Sequence, residues 1–393
     1  MRRTGDQALV KEINTSIVLE TIIRDQPISR ASISLLTGLN KGTVSSLVQE
    51  LIERHLVFET GTGLSSGGRK PVLLKFQQNT GYAVGVDLGV NFVHTVLTDL
   101  NGNVIREHTA SHHNENEQNV TQLLIQTIRH VLSEKPESHY GLIGIGVGIP
   151  GIVDSDGQIL FAPNLGWKNR RLGDQLKSQF NVPVHVDNEA NAGAIGEQQY
   201  GANSHTPDMI FISAGIGIGS GIILGNEIYR GSSGFSGEIG HLTIDSDGRL
   251  CRCGNRGCWE LYASENALIA KTAKLMGCEV DSITLEDIIV LAKDNDSKVL
   301  DALQQIGRYL GIGIAGMINI FNPKLIIIGN RLTKASPWLE DAINQEIETR
   351  ALTFHRRSVR VEFSKLQTHS TALGAAYMAI SSFLHAINSA EKN

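Results

Sequence analysis

The sequence predicts an α/β protein in three parts: a small N-terminal winged helix-turn-helix, then two similar α/β lobes enclosing a cleft. Three observations predict this. Residues 28–76 carry two short helical patterns joined at a glycine, followed by two apolar stretches around a Gly/Ser-rich loop. From Gly81 onward, a pattern of apolar strands with glycine-bearing turns occurs twice. In the second half, "EIGHLTIDSDGRLCRCGNRGCWE" (238–260) gathers three of the four cysteines within eight positions.

At 393 residues the chain exceeds one ordinary domain. Its 41% hydrophobic and 19% charged residues suit a globular chain with a large core. No run of eighteen unbroken apolar residues suggests a membrane span, and "MRRTGDQALVKEINTS" has no apolar run to make a secretory signal. Crowded cysteines do not form a disulfide framework, so a reducing, cytoplasmic setting is expected, with no membrane partner. The net charge of −5 divides unevenly, +3 over residues 1–80 and −8 over the rest. A basic front on an acidic body hints at a polyanion partner at the N-terminus.

In the head, "INTSIVLETII" (13–23) has a helical apolar period. Ser29 is placed to cap a short helix ending near Thr37, and Gly38 supplies the turn. Asn40 is placed to cap a second helix, whose Val44, Leu47, Val48, Leu51 and Ile52 form one stripe. Its other face offers Lys41, Thr43, Ser45, Ser46 and Gln49, side chains suited to phosphates and base edges. An ordinary helical hairpin with a solvated face has the same pattern. The following "HLVFETGTGLSSGGRKPVLLKF" favours DNA, because it reads as a strand, a flexible loop with adjacent Arg69 and Lys70, and a returning strand. Ser29, Arg30, Asn40, Lys41, Thr43, Ser45, Ser46, Gln49, Arg69 and Lys70 are the candidate DNA contacts.

In the body, "GYAVGVDLGVNFVHTVLTDLNGNVI" reads as strands joined by tight turns, Asn101-Gly102 being a strong hairpin signal. A helical stretch (116–133) and a buried strand "LIGIGVGIPGIVD" follow. "DMIFISAGIGIGSGIILGNEIYRG" repeats the device, and a helix (301–318) leads into "KLIIIG". Duplicated halves place ligands in the cleft between them. The glycine turns suit backbone approach to a phosphate, and equally suit plain tight turns. Residues 1–78, 79–193 and 194–369 are the expected units, with helix 370–393 returning to the first lobe.

Cys251, Cys253 and Cys258 in "CRCGNRGC", with His241 as fourth donor, make a closed Cys3His set suited to structural Zn2+. No coordination position is left open for chemistry. Cys278 is expected to be an ordinary core residue.

"GEIGHLTID…CRCGNRGCWE", "GIPGIVD", "NLGW", "NEANAG" and "GIGIGSGI" together resemble the ROK family of repressors, open reading frames and sugar kinases, across essentially the whole chain. The N-terminal segment and "GGRKP" resemble its repressor branch, most nearly the xylose repressors of Gram-positive bacteria. The resemblance implies an actin-like (ribonuclease H-like) two-lobed body. It also implies a sugar pocket lined by Asn164, Asn188, Glu189, Glu238, His241 and Glu260, with His241 using one ring nitrogen for zinc and the other for a sugar hydroxyl.

Family kinases have Asp-x-Gly-Gly-Thr in the first phosphate loop, Gly-Thr-Gly-x-Gly in the second and Asn-Asp-Ala-Asn around the general base. Here the first reads Asp87-Leu88-Gly89-Val90-Asn91 and the second has Ile216 in place of threonine. Glu189 stands where the base aspartate would be. One extra methylene displaces that carboxylate by about 1.5 Å, and a misplacement of about 1 Å can cost on the order of 10²-fold in rate. The expectation is a repressor without catalytic residues, a homodimer on a palindromic operator, released by a sugar. D-xylose as that sugar rests on resemblance alone. A sugar kinase with an appended DNA-binding domain, or a repressor responding to glucose or N-acetylglucosamine, are the alternatives.

Overall fold

The structure is a computed structural model that describes residues 7–62, 71–112 and 116–389. In the head, α1 (Gln7–Asp25) is followed by β1 (Ile28–Ser29), α2 (Arg30–Thr37), α3 (Lys41–Glu53), β2 (Val57–Thr62) and β3 (Val72–Phe76). The short helices start where their caps are. The Ser29 hydroxyl accepts from the Ser32 amide and Asn40 Oδ1 from the Thr43 amide, and Gly38 ends α2 at φ 74°. Val44, Leu47, Val48 and Leu51 are buried, whereas Ile52 is only partly covered. The three strands pair antiparallel in the order β1-β3-β2.

The body holds β4 (Tyr82–Leu88), β5 (Phe92–Asp99), β6 (Val104–Ser111), α4 (Glu117–Leu132), β7 (Leu142–Ile149), β8 (Ile152–Val153), β9 (Ile159–Ala162), β10 (Trp167–Arg170), α5 (Leu172–Phe180), β11 (Val184–Asn188) and α6 (Glu189–Tyr200). Next come β12 (Met209–Ala214), β13 (Ile218–Leu224), β14 (Glu227–Ile228), α7 (Glu260–Ala263), α8 (Glu265–Met276), α9 (Leu285–Lys293), α10 (Ser297–Phe321), β15 (Leu325–Gly329), α11 (Ser336–Arg350), α12 (Thr353–Arg356), β16 (Arg360–Phe363) and α13 (Ser370–Ser389).

The two large sheets share one topology. In β11-β7-β4-β5-β6 the central β4 pairs antiparallel with β5 and parallel with β7. In β14-β13-β12-β15-β16 the central β12 pairs antiparallel with β13 and parallel with β15. The apolar stretch read as one strand over 142–154 divides: β8 leaves the main sheet at Gly151 and joins a small sheet, β10-β9-β8.

The terminal helices of the halves are exchanged. Helix α6 ends the first half but packs chiefly on β12 and β13, while α13 ends the second half and packs on β7 and β4. The expected lobe boundary at 193/194 therefore falls inside α6. The two helices also pack on each other, with backbones so close that a Cβ at Gly374 would overlap the Ala192 carbonyl oxygen. Gly85 and Gly146 lie equally close beneath α13, facing the carbonyl oxygens of Ala372 and Ala375.

Helix α13 contains an 18-residue window, Ser370–Ile387, of mean hydropathy 1.2, half of it buried in the fold. Its apolar side chains are core. Ala376, Ala379 and Ile380 share one cluster with Val18, Ile22, Leu47 and Leu51 of the head. Arg54 Nη1 donates to the Ile387 carbonyl (2.6 Å), and Tyr140, against Phe383, donates to the Arg54 carbonyl (2.7 Å).

Two glycine substitutions test this packing. Gly146→Ala should cost at least ~1–3 kcal/mol by forcing α13 off the sheet. Gly316→Ala, in α10 with open space around its missing Cβ, should gain about 0.5–1 kcal/mol. Urea unfolding of the two variants measures both.

Candidate functional site

The cleft is built from strand ends and helix starts. Strand β11 delivers Asp187 and Asn188, α6 begins at Glu189, and the loop after β14 brings Arg230, Glu238 and His241 from the other lobe. Asn188 is the N-cap of α6. Its Oδ1 accepts from the amides of Ala190 (2.8 Å) and Asn191 (3.3 Å), and its Nδ2 donates to the Gly151 carbonyl (2.9 Å). Most of its hydrogen-bonding capacity is spent on shape.

Glu189 lies among acids. Burial, reinforced by the charge of Glu238, pushes its carboxyl up to about 7, while a hydrogen bond from Ser213 works the other way. Asp87, at the end of β4, is raised well above the usual carboxylate range by burial and then by Glu189. Glu238 Oε2 lies 4.0 Å from His241 Nε2, and Glu260 Oε1 lies 3.5 Å from His241 Nδ1. Gly217, in the second glycine turn, has room only for hydrogen, because a Cβ would stand 2.9 Å from Glu260 Oε2. Glu189, Glu238, His241 and Glu260 are thus brought into one chain of contacts. Asn164 lies exposed in the turn between β9 and β10 and, among the described residues, makes no hydrogen bond to this group.

An interlobe tie was not foreseen. Arg230 grips the buried Asp187 with two hydrogen bonds, 3.1 and 2.6 Å. Asp187 Oδ1 also accepts from the Asn188 amide (2.7 Å) and Asn191 Nδ2 (3.1 Å). No local pattern marks a pair separated by 43 positions. The first glycine turn is filled by protein: the Phe92 ring lies where a Cβ on Gly89 would go. In the second, the Gly215 amide bonds to the Gly217 carbonyl (3.1 Å) and Asn330 Nδ2 bonds to Ser213 Oγ (2.9 Å).

Beside the cleft, His241, Cys251, Cys253 and Cys258 converge, one donor atom from each lying within 4.8 Å of the others. Cys251 Sγ is 3.8 Å from His241 Nδ1, and Cys253 Sγ is 3.6 Å from Cys258 Sγ. Sulfurs bound at about 2.3 Å in a tetrahedron lie about 3.8 Å apart, so the donor set fits zinc. Gly254 (φ 93°) and Gly257 (φ 66°) let the chain wrap this tightly. Buried Trp259 anchors the loop by donating to the Tyr309 carbonyl of α10 (2.7 Å). Without an ion, burial pushes the Cys251 thiol up to about 12, and its Sγ lies 3.3 Å from Glu260 Oε1. Metal uptake there releases a proton. Cys278 is exposed, contrary to expectation. It follows Gly277, whose left-handed conformation ends α8 and turns the chain outward.

On the head, Lys41, Ser45, Ser46 and Gln49 are exposed along α3 and Thr43 is half-buried. Gln49 Nε2 bonds to Glu53 (3.1 Å). Ser29 is buried and spent on its cap, exposed Asn40 caps α3, and Arg30 pairs with Glu59 (2.9 Å). Arg69 and Lys70 lie outside the described residues.

These features are those of a sugar-kinase-type body joined to a helical head. The profile of the ROK family matches residues 83–382, and the chain belongs to that family. It is 44% identical over 384 residues to the xylose repressor of Bacillus subtilis, covering 98% of this chain and 99% of that one. A solved ROK family transcriptional regulator, a homolog of the E. coli MLC protein, superposes with TM-score 0.82 at 30% identity, covering 97% and 99% of the two chains. A ROK family glucokinase from Streptomyces griseus, solved with glucose and AMPPNP, superposes with TM-score 0.71 at 28% identity, covering 77% of this chain and all of that one. The body is therefore the actin-like, sugar-kinase-type ROK fold.

The raised Glu189 carboxyl has a pH signature. Its contribution to folding is fully present below about pH 4.5 and is lost as pH rises through about 7. Glu189→Gln should therefore gain stability over wild type progressively between pH 5 and 8, by up to about 3 kcal/mol. Denaturant unfolding of both proteins across that range measures the difference.

Proposed function

We infer that this chain is a sugar-responsive transcriptional repressor, that D-xylose is its inducer, and that operator binding is lost when the sugar occupies the cleft. The carrying observation is the near full-length similarity to a xylose repressor, including the head that the glucokinase match leaves uncovered. In this reading residues 1–78 are a winged helix-turn-helix, 79–193 and 194–369 the two lobes, and 370–393 a helix returned to the first lobe. The protein is a cytoplasmic C2 homodimer, setting two recognition helices on a palindromic operator about one helical turn, or a multiple, apart. Lys41, Thr43, Ser45, Ser46 and Gln49 face the major groove from α3, and Arg69 and Lys70 meet the backbone or minor groove. Ser29, Arg30 and Asn40 act at the helix starts through backbone positioning.

The sugar is held by Asn164, Asn188, Glu189, Glu238, His241 and Glu260. Carboxylates and amides satisfy a polyol's hydroxyl hydrogens, and a neutral ligand adds no charge to an acidic cleft. The Cys3His group holds structural Zn2+, fixing His241 Nδ1 so that Nε2 faces Glu238 and the cleft. Thr371, in the first turn of α13, donates to the Glu189 carbonyl (3.1 Å). A shift of α6 on sugar binding thus reaches α13, whose far end is bonded to Arg54 of the head.

The kinase reading draws on the glucokinase neighbour. Against it stand Val90, Asn91 and Ile216 in the glycine turns, the Phe92 ring on Gly89, and Glu189 at the base position. A repressor tuned to glucose or N-acetylglucosamine differs only in which sugar gives the response below.

D-xylose should weaken binding to a palindromic operator in a mobility-shift titration, and coupled ADP-release assays should show no turnover with any sugar. Complete release requires on the order of 10⁴-fold preference of the sugar for the released state. Lys41→Ala should weaken binding to all sequences and lower the slope of log affinity against log salt by about 0.9. Cys253→Ser should lose bound zinc and blunt the sugar response while the head stays folded, as read by metal content and operator release.

A further inference from the structure

On the face of the first sheet that α13 covers, two histidines meet one carboxylate. His94 of β5 pairs with Thr109 of β6, which puts Glu107 on the adjacent diagonal. His369 stands one residue before α13. Both Nε2 atoms approach a single oxygen, Glu107 Oε2, at 3.2 Å from His94 and 2.8 Å from His369. The rings are 5.1 Å apart at 82°, and one donor atom from each residue lies within 4.8 Å of the others. The His94 side chain is buried, whereas that of Glu107 is 52% exposed, so the group opens to solvent on one side.

We propose that His94, Glu107 and His369 form a second metal site, for a divalent transition cation of the Zn2+, Co2+ or Ni2+ class, which pins the start of α13 to the β5–β6 hairpin. Two donors at about 2.0–2.1 Å from one ion lie about 3.0–3.3 Å apart in octahedral or tetrahedral geometry, close to the two spacings seen here. Two imidazoles with one carboxylate suit this class better than calcium or magnesium, which take oxygen donors. Burial keeps the His94 imidazole below its ordinary value, and the two histidines hold Glu107 below the usual carboxylate range. Both groups are therefore in their ligand forms at neutral pH. Asp87, opposite His94 across the β4–β5 pair, adds an acid to the same face. Solvent completes the coordination on the open side. The site is distinct from the cysteine cluster, which lies in the other half of the body.

Equilibrium dialysis of the metal-stripped full chain against Co2+ tests the proposal, with total bound cobalt read by elemental analysis. Thiolate-to-cobalt absorption reports the cysteine cluster separately and shows that the fold persists. His369→Ala and Glu107→Gln should each bind one equivalent fewer than wild type with the thiolate absorption unchanged. Equal cobalt content in wild type and either variant overturns the site.

Discussion

The architecture depends on the seat of α13. A helix backbone lies directly against strand backbone only where side chains are missing, and Gly85, Gly146 and Gly374 provide that absence at three successive contacts. Each glycine costs conformational entropy relative to alanine, about 0.5–1 kcal/mol, and the close packing returns dispersion contacts along the whole interface. The outcome is one rigid element touching three regions. Its start is bonded to α6 and to the buried carboxylate of Glu197, through Ser370 Oγ (2.6 Å). Its middle lies on the first sheet, and its end is part of the core of the head. Interfaces of this kind shift between discrete arrangements rather than deforming continuously, so displacement at one end is delivered at the other.

The cleft supplies the reason for displacement. Glu189, Glu238 and Asp87 crowd together with no cation among them except Arg230, which is committed to Asp187. Such a site opposes a free phosphate and favours hydroxyl donors. Occupancy by a polyol replaces repulsion among carboxyls with hydrogen bonds, and this difference can bias the lobes. The cysteine loop beside the cleft keeps His241 and Glu260 from relaxing away from it.

Local patterns made much of this legible. The caps at Ser29, Gly38 and Asn40, the apolar stripe of α3 and the cysteine loop are encoded within about ten residues, and each appears where its chemistry required. The resemblance carried the joint grouping of Glu189, Glu238, His241 and Glu260. What stayed hidden was long-range. The exchange of α6 and α13 between halves, the Asp187–Arg230 tie and the His94–Glu107–His369 group all join segments whose proximity is set by sheet order. Residue type also misled where one side chain serves structure first. Asn188 and Ser29 carry suitable groups for ligand or DNA, yet spend them on helix starts, and Cys278 is exposed because a glycine turn precedes it.

Amide hydrogen exchange of the full-length protein with and without D-xylose tests the coupling most directly. The account requires altered protection in α6 and along α13 to its contacts with Arg54 and α1. Changes confined to the residues around Glu189 and His241, or no change at all, would contradict it.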